Sequence, residues 1–161
     1  MKTRVMKIRP AHRSDATRLT EIALSAKRHW GYADELIELW ADELTISEDL
    51  IRTHPVYCAT CEGEVVGFYA LSKKDGEYEL DHIWVDPKYM GGGIGKALFA
   101  HAVRTVAAFG GTALVIIADP HAEGFYRKMG AQIIGHVSSR PEGRILPLLR
   151  LPIGNSTTNL A

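Results

Sequence analysis

A glycine-rich segment in the middle of the chain joins an apolar strand pattern to an amphipathic helix pattern. It consists of Met90, Gly91, Gly92, Gly93, Ile94, Gly95 and Lys96. Glycine lacks the Cβ atom that would keep an anion away, and it adopts the positive φ angles that direct several backbone N–H groups at one point. At the start of a helix those groups have no intrahelical acceptor, and the helix dipole adds partial positive charge. The segment therefore predicts a phosphate-binding turn between a strand and a helix.

Two familiar phosphate-binding motifs do not match the spacing of this segment. A P-loop ends in Gly-Lys-Ser/Thr and needs a first glycine five positions before the second. Gly95 and Lys96 could end one, but Met90 stands at the earlier position and Ala97 has no hydroxyl. The dinucleotide motif Gly-x-Gly-x-x-Gly fails as well, because its third glycine would fall on Lys96 or Leu98. A flexible glycine connector is the remaining alternative at this point.

Length and composition favour a single domain of an ordinary globular class. The chain has 161 residues, with 19 basic and 19 acidic side chains in balance, so no net charge favours nucleic acid or an anionic membrane. We expect one domain over residues 1–153 and a flexible tail over 154–161. No apolar run approaches the roughly 20 residues of a membrane span, and no signal-peptide core is evident. We therefore expect a cytoplasmic protein.

The cysteines and histidines do not predict a metal site. Cys58 and Cys61 lie in an apolar strand pattern, where an odd offset places them on opposite faces. No second cysteine pair completes a zinc site. We therefore expect two buried thiols and no metal.

Hydrophobic periodicity predicts an α/β chain in the order β-α-α-β-β-β-α-β-α-β-β. A first helix carries one buried stripe and ends at Gly31, a second extends from Leu36 to Leu44, and a short third covers about 48–53. A helix follows the glycine turn and ends at Gly110, and another begins at Pro120. The predicted strands cover 4–9, 56–61, 65–72, 78–85, 113–118, 132–137 and 145–151.

This order and two segments are similar to those of the GNAT N-acetyltransferases over about residues 4–151. The glycine turn fits the family's acetyl-CoA motif Gln/Arg-x-x-Gly-x-Gly/Ala at both glycines, and 119–130 is similar to its Asn-x-x-Ala-x-x-Phe-Tyr-x-x-x-Gly segment. The resemblance implies the GNAT fold, with a mixed central sheet of about seven strands and helices on both faces. It also implies a position for the glycine turn at the carboxyl end of the fourth strand, and acetyl-CoA as co-substrate.

The resemblance also assigns cofactor-binding residues. The backbone of Ile83, Trp84 and Val85 would pair with the pantetheine arm like an added strand. The amides of Gly91, Gly92, Gly93, Ile94, Gly95 and Lys96 would take the pyrophosphate. Two positions depart from the family pattern. Met90 replaces the usual Gln or Arg and predicts weaker or differently tuned CoA binding, and Asp119 replaces an Asn that contacts pantetheine.

Tyr126 and Glu79 occupy the positions of the family's catalytic groups. By the resemblance Tyr126 protonates the departing CoA thiolate, and Glu79 is the general base. Strand alternation places Asp81 on the same face as Glu79, where a like-charged neighbour raises the pKa of one carboxyl. The alternative for Tyr126 is core packing. The alternative for Glu79 and Asp81 is that both are solvated carboxylates on a strand. His82 is a lesser candidate base, since a hydrogen-bonded core histidine accounts better for its apolar neighbours.

The acceptor is expected to lie against the connection between the first two helices. Trp30 and Tyr32 would form its wall by stacking or cation–π contact, and Asp81 is a further predicted substrate-binding residue. Closing the core beneath the first helix is the alternative for Trp30. Arg140 or Arg144, in the last loop, could meet a substrate carboxylate. The function so predicted is N-acetyl transfer from acetyl-CoA to an amine of unknown identity, by direct attack in a ternary complex. A non-catalytic acyl-CoA sensor on the same fold is the alternative, and the family resemblance suggests a homodimer.

Overall fold

The computed structural model describes residues 5–154, so most of the predicted tail, from 155 onward, lies outside the described residues. Seven strands are β1 (Met6–Pro10), β2 (Val56–Cys61), β3 (Glu64–Lys74), β4 (Glu77–Val85), β5 (Ala113–Ile117), β6 (Gln132–Ser138) and β7 (Ile145–Pro152). The α-helices are α1 (Ala16–His29), α2 (Asp34–Leu39), α3 (Ala41–Leu44), α4 (Glu48–Thr53), α5 (Ile94–Ala108) and α6 (Glu123–Lys128). The predicted order of strands and helices is confirmed, except that four α-helices, more than predicted, lie between β1 and β2.

The strands form one mixed sheet in the order β1-β2-β3-β4-β5-β7-β6. The pairs β1–β2, β2–β3, β5–β7 and β6–β7 are antiparallel, whereas β4 and β5 are parallel. Two tight turns connect the hairpins of β2, β3 and β4. Both turns have positive φ angles, at Glu62 and Gly63 and at Asp75 and Gly76, as hairpins of this length require. The mixed seven-stranded sheet agrees with the prediction.

Two compact units account for the described residues, 5–70 with 82–99 in the first and 71–81 with 100–154 in the second. The predicted stripe of α1 is buried in the core of the first unit, where Leu19, Ile22 and Ala23 pack with Trp40 and Phe68. In the second unit Leu114 and Ile116 of β5 and Leu149 of β7 are fully buried. The single-domain interpretation stays a prediction.

Two helices differ in detail from the prediction. The segment from Leu36 to Leu44 is divided at Trp40, where φ −95° and ψ 3° interrupt the helical backbone. The Trp40 side chain is buried there and packs edge-on against Tyr32, with the ring centroids 4.8 Å apart. The helix predicted from Pro120 begins as a 3-10 turn, Pro120–Ala122, and continues as α6.

Both cysteines are free and buried, as predicted. The Cys58 thiol lies 3.9 Å from the Asp15 carboxylate, and burial raises the pKa of this thiol to about 12. A thiol with so high a pKa is a poor nucleophile at neutral pH. Within residues 5–154 no helix has the length and hydropathy needed to cross a membrane.

Candidate functional site

The glycine turn leads from β4 into α5 in the first unit. A 3-10 turn, Pro87–Tyr89, follows β4, and then Gly91 and Gly93 adopt φ angles of 87° and 82°. No heavy atom lies within 4 Å of a Cβ placed on either glycine, so the positive φ, and not a lack of space, favours glycine there. The Ala97 N–H donates to the Gly93 carbonyl over 3.0 Å. The N–H groups of residues 94–96 precede this bond and have no intrahelical acceptor.

An ion pair that the sequence does not reveal anchors the start of this turn. Arg18 of α1 donates to the Asp86 carboxylate over 2.7 Å and to the Val65 carbonyl over 3.1 Å. The Asp86 side chain also accepts from the Lys88 N–H over 3.0 Å. Burial acts to raise the pKa of Asp86, but these hydrogen bonds outweigh it and the pKa is lowered. The carboxylate therefore stays ionised and holds the turn to α1.

Close approach of β3 explains a second glycine in the first unit. A Cβ placed on Gly67 would lie 2.9 Å from the Trp84 carbonyl oxygen and 3.1 Å from Leu98 Cδ1. Glycine at this position therefore lets β3 approach the backbone of β4 beside residues 83–85, which are predicted to bind the pantetheine arm. The sequence alone does not predict this requirement, since an isolated glycine in a strand pattern has several possible causes.

The ladder between β4 and β5 is short. Its register pairs are Tyr78 with Leu114 and Glu79 with Val115, although β4 continues to Val85 and β5 to Ile117. The backbone of Ile83, Trp84 and Val85 therefore lies beyond this ladder. This is the part of β4 for which an added strand is predicted.

Four aromatic rings surround the Lys27 ammonium in the first unit. Its Nζ lies 4.6 Å from the ring centroid of Trp40, 5.1 Å from Tyr32, 5.7 Å from Trp30 and 5.9 Å from Trp84. Lys27 is only 8% exposed, and the rings of Trp30 and Trp84 are themselves 5.6 Å apart. We call these four rings the aromatic cluster. It brings the predicted acceptor wall, Trp30 and Tyr32, together with Trp84 of β4, and its cation comes from the chain itself.

Glu79 and Asp81 form a hydrogen-bonded acidic pair in the second unit. Lys74, at the end of β3, donates to Glu79 Oε2 over 2.6 Å. Burial acts to raise the pKa of Glu79, but hydrogen bonds from Asp81 and Lys74 outweigh it, so this pKa is lowered. Partial desolvation and the hydrogen bond to Glu79 raise the pKa of Asp81 to about 6. The carboxyl whose pKa is raised, as expected for one of two neighbouring acids, is therefore that of Asp81. Glu79 is the ionised partner.

Tyr126 and Asp119 lie in the second unit. Tyr126 is buried in α6, with its ring edge-on to Phe125 at 5.3 Å. Burial raises its pKa, and the negative charge of Asp119 acts in the same direction. The phenol is therefore protonated at any ordinary pH, as a proton donor must be.

Both oxygens of the Asp119 carboxylate already accept hydrogen bonds. Oδ1 accepts from the His121 backbone N–H and faces His121 Nδ1, both at 2.9 Å. Oδ2 accepts from Arg144 over 3.1 Å, and Arg144 also donates to the Ser139 hydroxyl. Arg144, a predicted partner for a substrate carboxylate, is thus paired with a carboxylate of its own chain.

His82 is a hydrogen-bonded histidine among aromatic rings. Its Nδ1 accepts from the Trp84 indole N–H over 3.1 Å, and its ring lies 6.1 Å from that of Phe68. Burial lowers the pKa of His82 to about 4. His82 is thus hydrogen-bonded as predicted, but the residue is half-buried and does not belong to the fully buried core.

Each unit thus brings together part of the predicted set. The glycine turn, the end of β4, Trp30 and Tyr32 belong to the first unit, and Glu79, Asp81, Tyr126 and Asp119 to the second. Met90 is 40% exposed at the start of the turn. Within residues 5–154 no cluster of three or more His, Cys, Asp or Glu side chains is suited to hold a metal ion.

Comparison with known proteins defines the class. The model of the acetyltransferase (GNAT) family matches residues 16–131, which is most of the chain, and this protein therefore belongs to the GNAT acetyltransferase family. The chain is therefore an N-acetyltransferase by family.

Two curated relatives are peptidyl-lysine N-acetyltransferases, both named YjaB. The protein from Salmonella typhimurium LT2 is 38% identical over 104 residues, which cover 64% of this chain and 68% of the relative. The protein from Escherichia coli K12 is 30% identical over 147 residues, covering 81% and 95%.

A solved structure supports the fold at lower identity. The PaiA N-acetyltransferase of Thermoplasma acidophilum, in complex with coenzyme A, superimposes with a TM-score of 0.77 at 19% identity. The match covers 92% of this chain and 99% of the other.

Proposed function

We propose that this protein transfers the acetyl group of acetyl-CoA to the side-chain amine of a peptidyl lysine, by direct attack in a ternary complex. Both curated relatives carry that activity in their names, and the chain covers 95% of the one from E. coli. The observation that carries the proposal is the acidic pair on β4. An ionised Glu79 beside an Asp81 with a pKa of about 6 can accept the proton of an ammonium near neutral pH.

The first unit fits the donor. Gly91 and Gly93 leave open space where a Cβ would stand, and the amides at the start of α5 favour an anion. Hydrogen bonds to a charged acceptor contribute about 1.5–3 kcal/mol each. We assign the pyrophosphate to the amides of 91–96 and the pantetheine arm to the backbone of 83–85. Bound there, acetyl-CoA supplies the activated acetyl thioester.

Proton movements are assigned to residues of the second unit. The Glu79–Asp81 pair takes a proton from the acceptor ammonium, and the Tyr126 Oη, whose pKa burial raises, holds the proton for the leaving sulfur. The high pKa of the Cys58 thiol is a further argument for direct transfer without an acyl-cysteine.

Trp30 and Tyr32 are assigned to the acceptor wall, where Lys27 fixes their orientation. The two free buried thiols favour a reducing compartment such as the cytoplasm.

A turnover assay with acetyl-CoA and a panel of lysine peptides tests this function. Tyr126→Phe and Glu79→Gln should each lower kcat about a hundredfold, the usual scale of general acid–base catalysis, and leave CoA affinity unchanged. Tyr69→Phe is the matched control, since it removes a hydroxyl from another fully buried tyrosine outside the assigned machinery.

Two outcomes would contradict the proposal. If CoA binds but no peptide, amino acid or polyamine is acetylated, the chain is an acyl-CoA sensor. If turnover is observed and neither variant changes it, the roles given to Tyr126 and Glu79 are wrong.

A further inference from the structure

Lys74 places a primary ammonium on the acidic pair of β4. Its Nζ donates to Glu79 Oε2 over 2.6 Å. The side chain of Lys74 is 65% exposed, whereas that of Glu79 is only 13% exposed. The carboxylate is therefore fixed at the sheet, and the ammonium reaches it on a long side chain that lies mostly in solvent.

A buried hydroxyl, that of Ser72, lies beside the pair. Ser72 of β3 is 7% exposed, and within residues 5–154 its Oγ has no hydrogen-bond partner of ordinary geometry. A hydrogen bond from Ser72 to Asp81, weaker than ordinary geometry allows, nevertheless acts to lower the pKa of that carboxyl. A nearly buried hydroxyl with no well-formed hydrogen bond is uncommon in native structures and indicates a site that another polar group can complete.

The three acceptors match the chemistry of one ligand class. A primary ammonium has three N–H donors and no acceptor. Glu79 takes one donor from Lys74, and the Asp81 carboxyl and the Ser72 hydroxyl lie on the same face, because strand alternation in the hairpin brings 72, 79 and 81 together. A ligand with fewer donors would leave part of this set unsatisfied.

We propose that Glu79, Asp81 and Ser72 form a subsite for the ammonium of the acceptor, and that Lys74 occupies it when no acceptor is bound. An incoming lysine side chain then binds by displacing Lys74, so that the enzyme carries an internal competitor of its own substrate. This inference rests on the proposed function for its substrate class, but the subsite can be tested without turnover.

The neighbouring lysine is a matched control. Lys73 extends over the ring of Tyr78, with Nζ 5.3 Å from the centroid, and strand alternation places it on the other face of β3 from Lys74. Substituting either lysine by methionine removes the same charge and keeps a long apolar side chain. Only the change at Lys74 vacates the subsite.

Carboxyl-detected NMR titration with Nα-acetyl-lysine amide is the decisive experiment. Wild type, Lys74→Met and Lys73→Met are titrated, and the shifts of the Glu79 and Asp81 carboxyl signals are followed. Lys74→Met should reach half-saturation at about threefold lower probe concentration, the size expected for loss of a competing, partly exposed ion pair. Lys73→Met should match wild type, and Ser72→Ala should weaken binding in both the wild-type and the Lys74→Met background.

The same half-saturation in wild type and Lys74→Met, or the same gain in Lys73→Met, would overturn the inference. In kinetics, Lys74→Met should lower KM for a lysine peptide and leave KM for acetyl-CoA unchanged. If peptides are acetylated but Lys74→Met changes neither binding nor KM, this inference fails and the proposed function stands. If no peptide is acetylated but the titration tightens as expected, the subsite stands and the proposed function fails.

Discussion

Met90 is the residue at which this chain departs most clearly from its family's donor-binding motif. Its side chain is 40% exposed beside the glycine turn and supplies neither a charge nor a hydrogen bond to an anion. Met90→Arg should therefore lower the Kd for CoA about fivefold, since a partly exposed charge-assisted contact contributes about 1 kcal/mol. Isothermal calorimetry at two salt concentrations measures this, and the gain should shrink at high salt.

Met90→Gln separates charge from hydrogen bonding at the same position. A neutral donor should tighten the complex less than arginine, and with little dependence on salt. An unchanged Kd for the arginine variant would mean that backbone amides alone determine the affinity of the turn.

Asp81 gives the acidic pair a titration near neutral pH. Its pKa is raised to about 6, so the pair gains its second negative charge only as pH rises through that value. We expect kcat/KM to rise with pH along an acid limb near 6, an apparent value that belongs to the pair. Asp81→Asn leaves Glu79, whose pKa is lowered, and the limb should move to lower pH.

A pH–rate profile of the wild type and Asp81→Asn tests the direction of this shift. The profile extends from pH 4 to about 9, the range in which carboxyl and histidine groups titrate. An acid limb at the same pH in wild type and Asp81→Asn would show that another group sets it. His82 is not that group, because its pKa is lowered to about 4 and its ring is neutral near pH 6.

At the level of elements, an ion pair between Arg18 and Asp86 joins α1 to the start of the glycine turn. Arg18→Met leaves the buried Asp86 carboxylate with only the Lys88 N–H. It should raise KM for acetyl-CoA several-fold and lower the free energy of unfolding by about 1–2 kcal/mol, the cost of a poorly satisfied polar group. Arg52→Met removes an exposed ion pair to Asp49 and should change neither quantity measurably.

Steady-state kinetics and chemical unfolding of both variants provide the comparison. If Arg18→Met loses stability and keeps its KM for acetyl-CoA, the ion pair supports the fold alone and has no part in positioning the turn.

The elements that sequence predicted well are those whose cause is local. Buried stripes such as Leu19, Ile22 and Ala23 recur at helical spacing, and the hairpin turns carry the glycines that positive φ requires. The division at Trp40 was missed because its buried ring, packed on Tyr32, depends on tertiary contacts. The periodicity of the segment does not contain that information.

The candidate site residues show the same difference between local sequence patterns and tertiary contacts. The glycine turn follows from the sequence pattern, Glu79 from the family resemblance and Asp81 from strand alternation. The structure places the two carboxyls in contact. Arg18 lies 68 residues from Asp86 along the chain, and no local pattern links them. Lys74 is only five residues from Glu79, yet it was missed because a lysine before a hairpin turn is ordinarily a solvated residue.

At the level of the whole molecule, family membership and the element order both identify coenzyme A as the ligand to test first. The family model matches residues 16–131, and the spacing of the glycine turn excludes the P-loop and the dinucleotide fingerprint. A ligand that binds only the folded chain stabilises it in proportion to the logarithm of its concentration. Thermal unfolding therefore reports on the turn without any knowledge of the acceptor.

Coenzyme A at a hundred times its Kd should stabilise the folded chain by about 2.7 kcal/mol. For a chain of 161 residues this corresponds to a rise in Tm of about 5–10 °C. ATP and NAD at the same concentrations should produce no comparable shift, because each shares only part of the ligand that the amides of 91–96 and the end of β4 would hold. A clear shift with ATP or NAD and none with coenzyme A would mean that the turn binds another nucleotide, and the donor assignment would then be wrong.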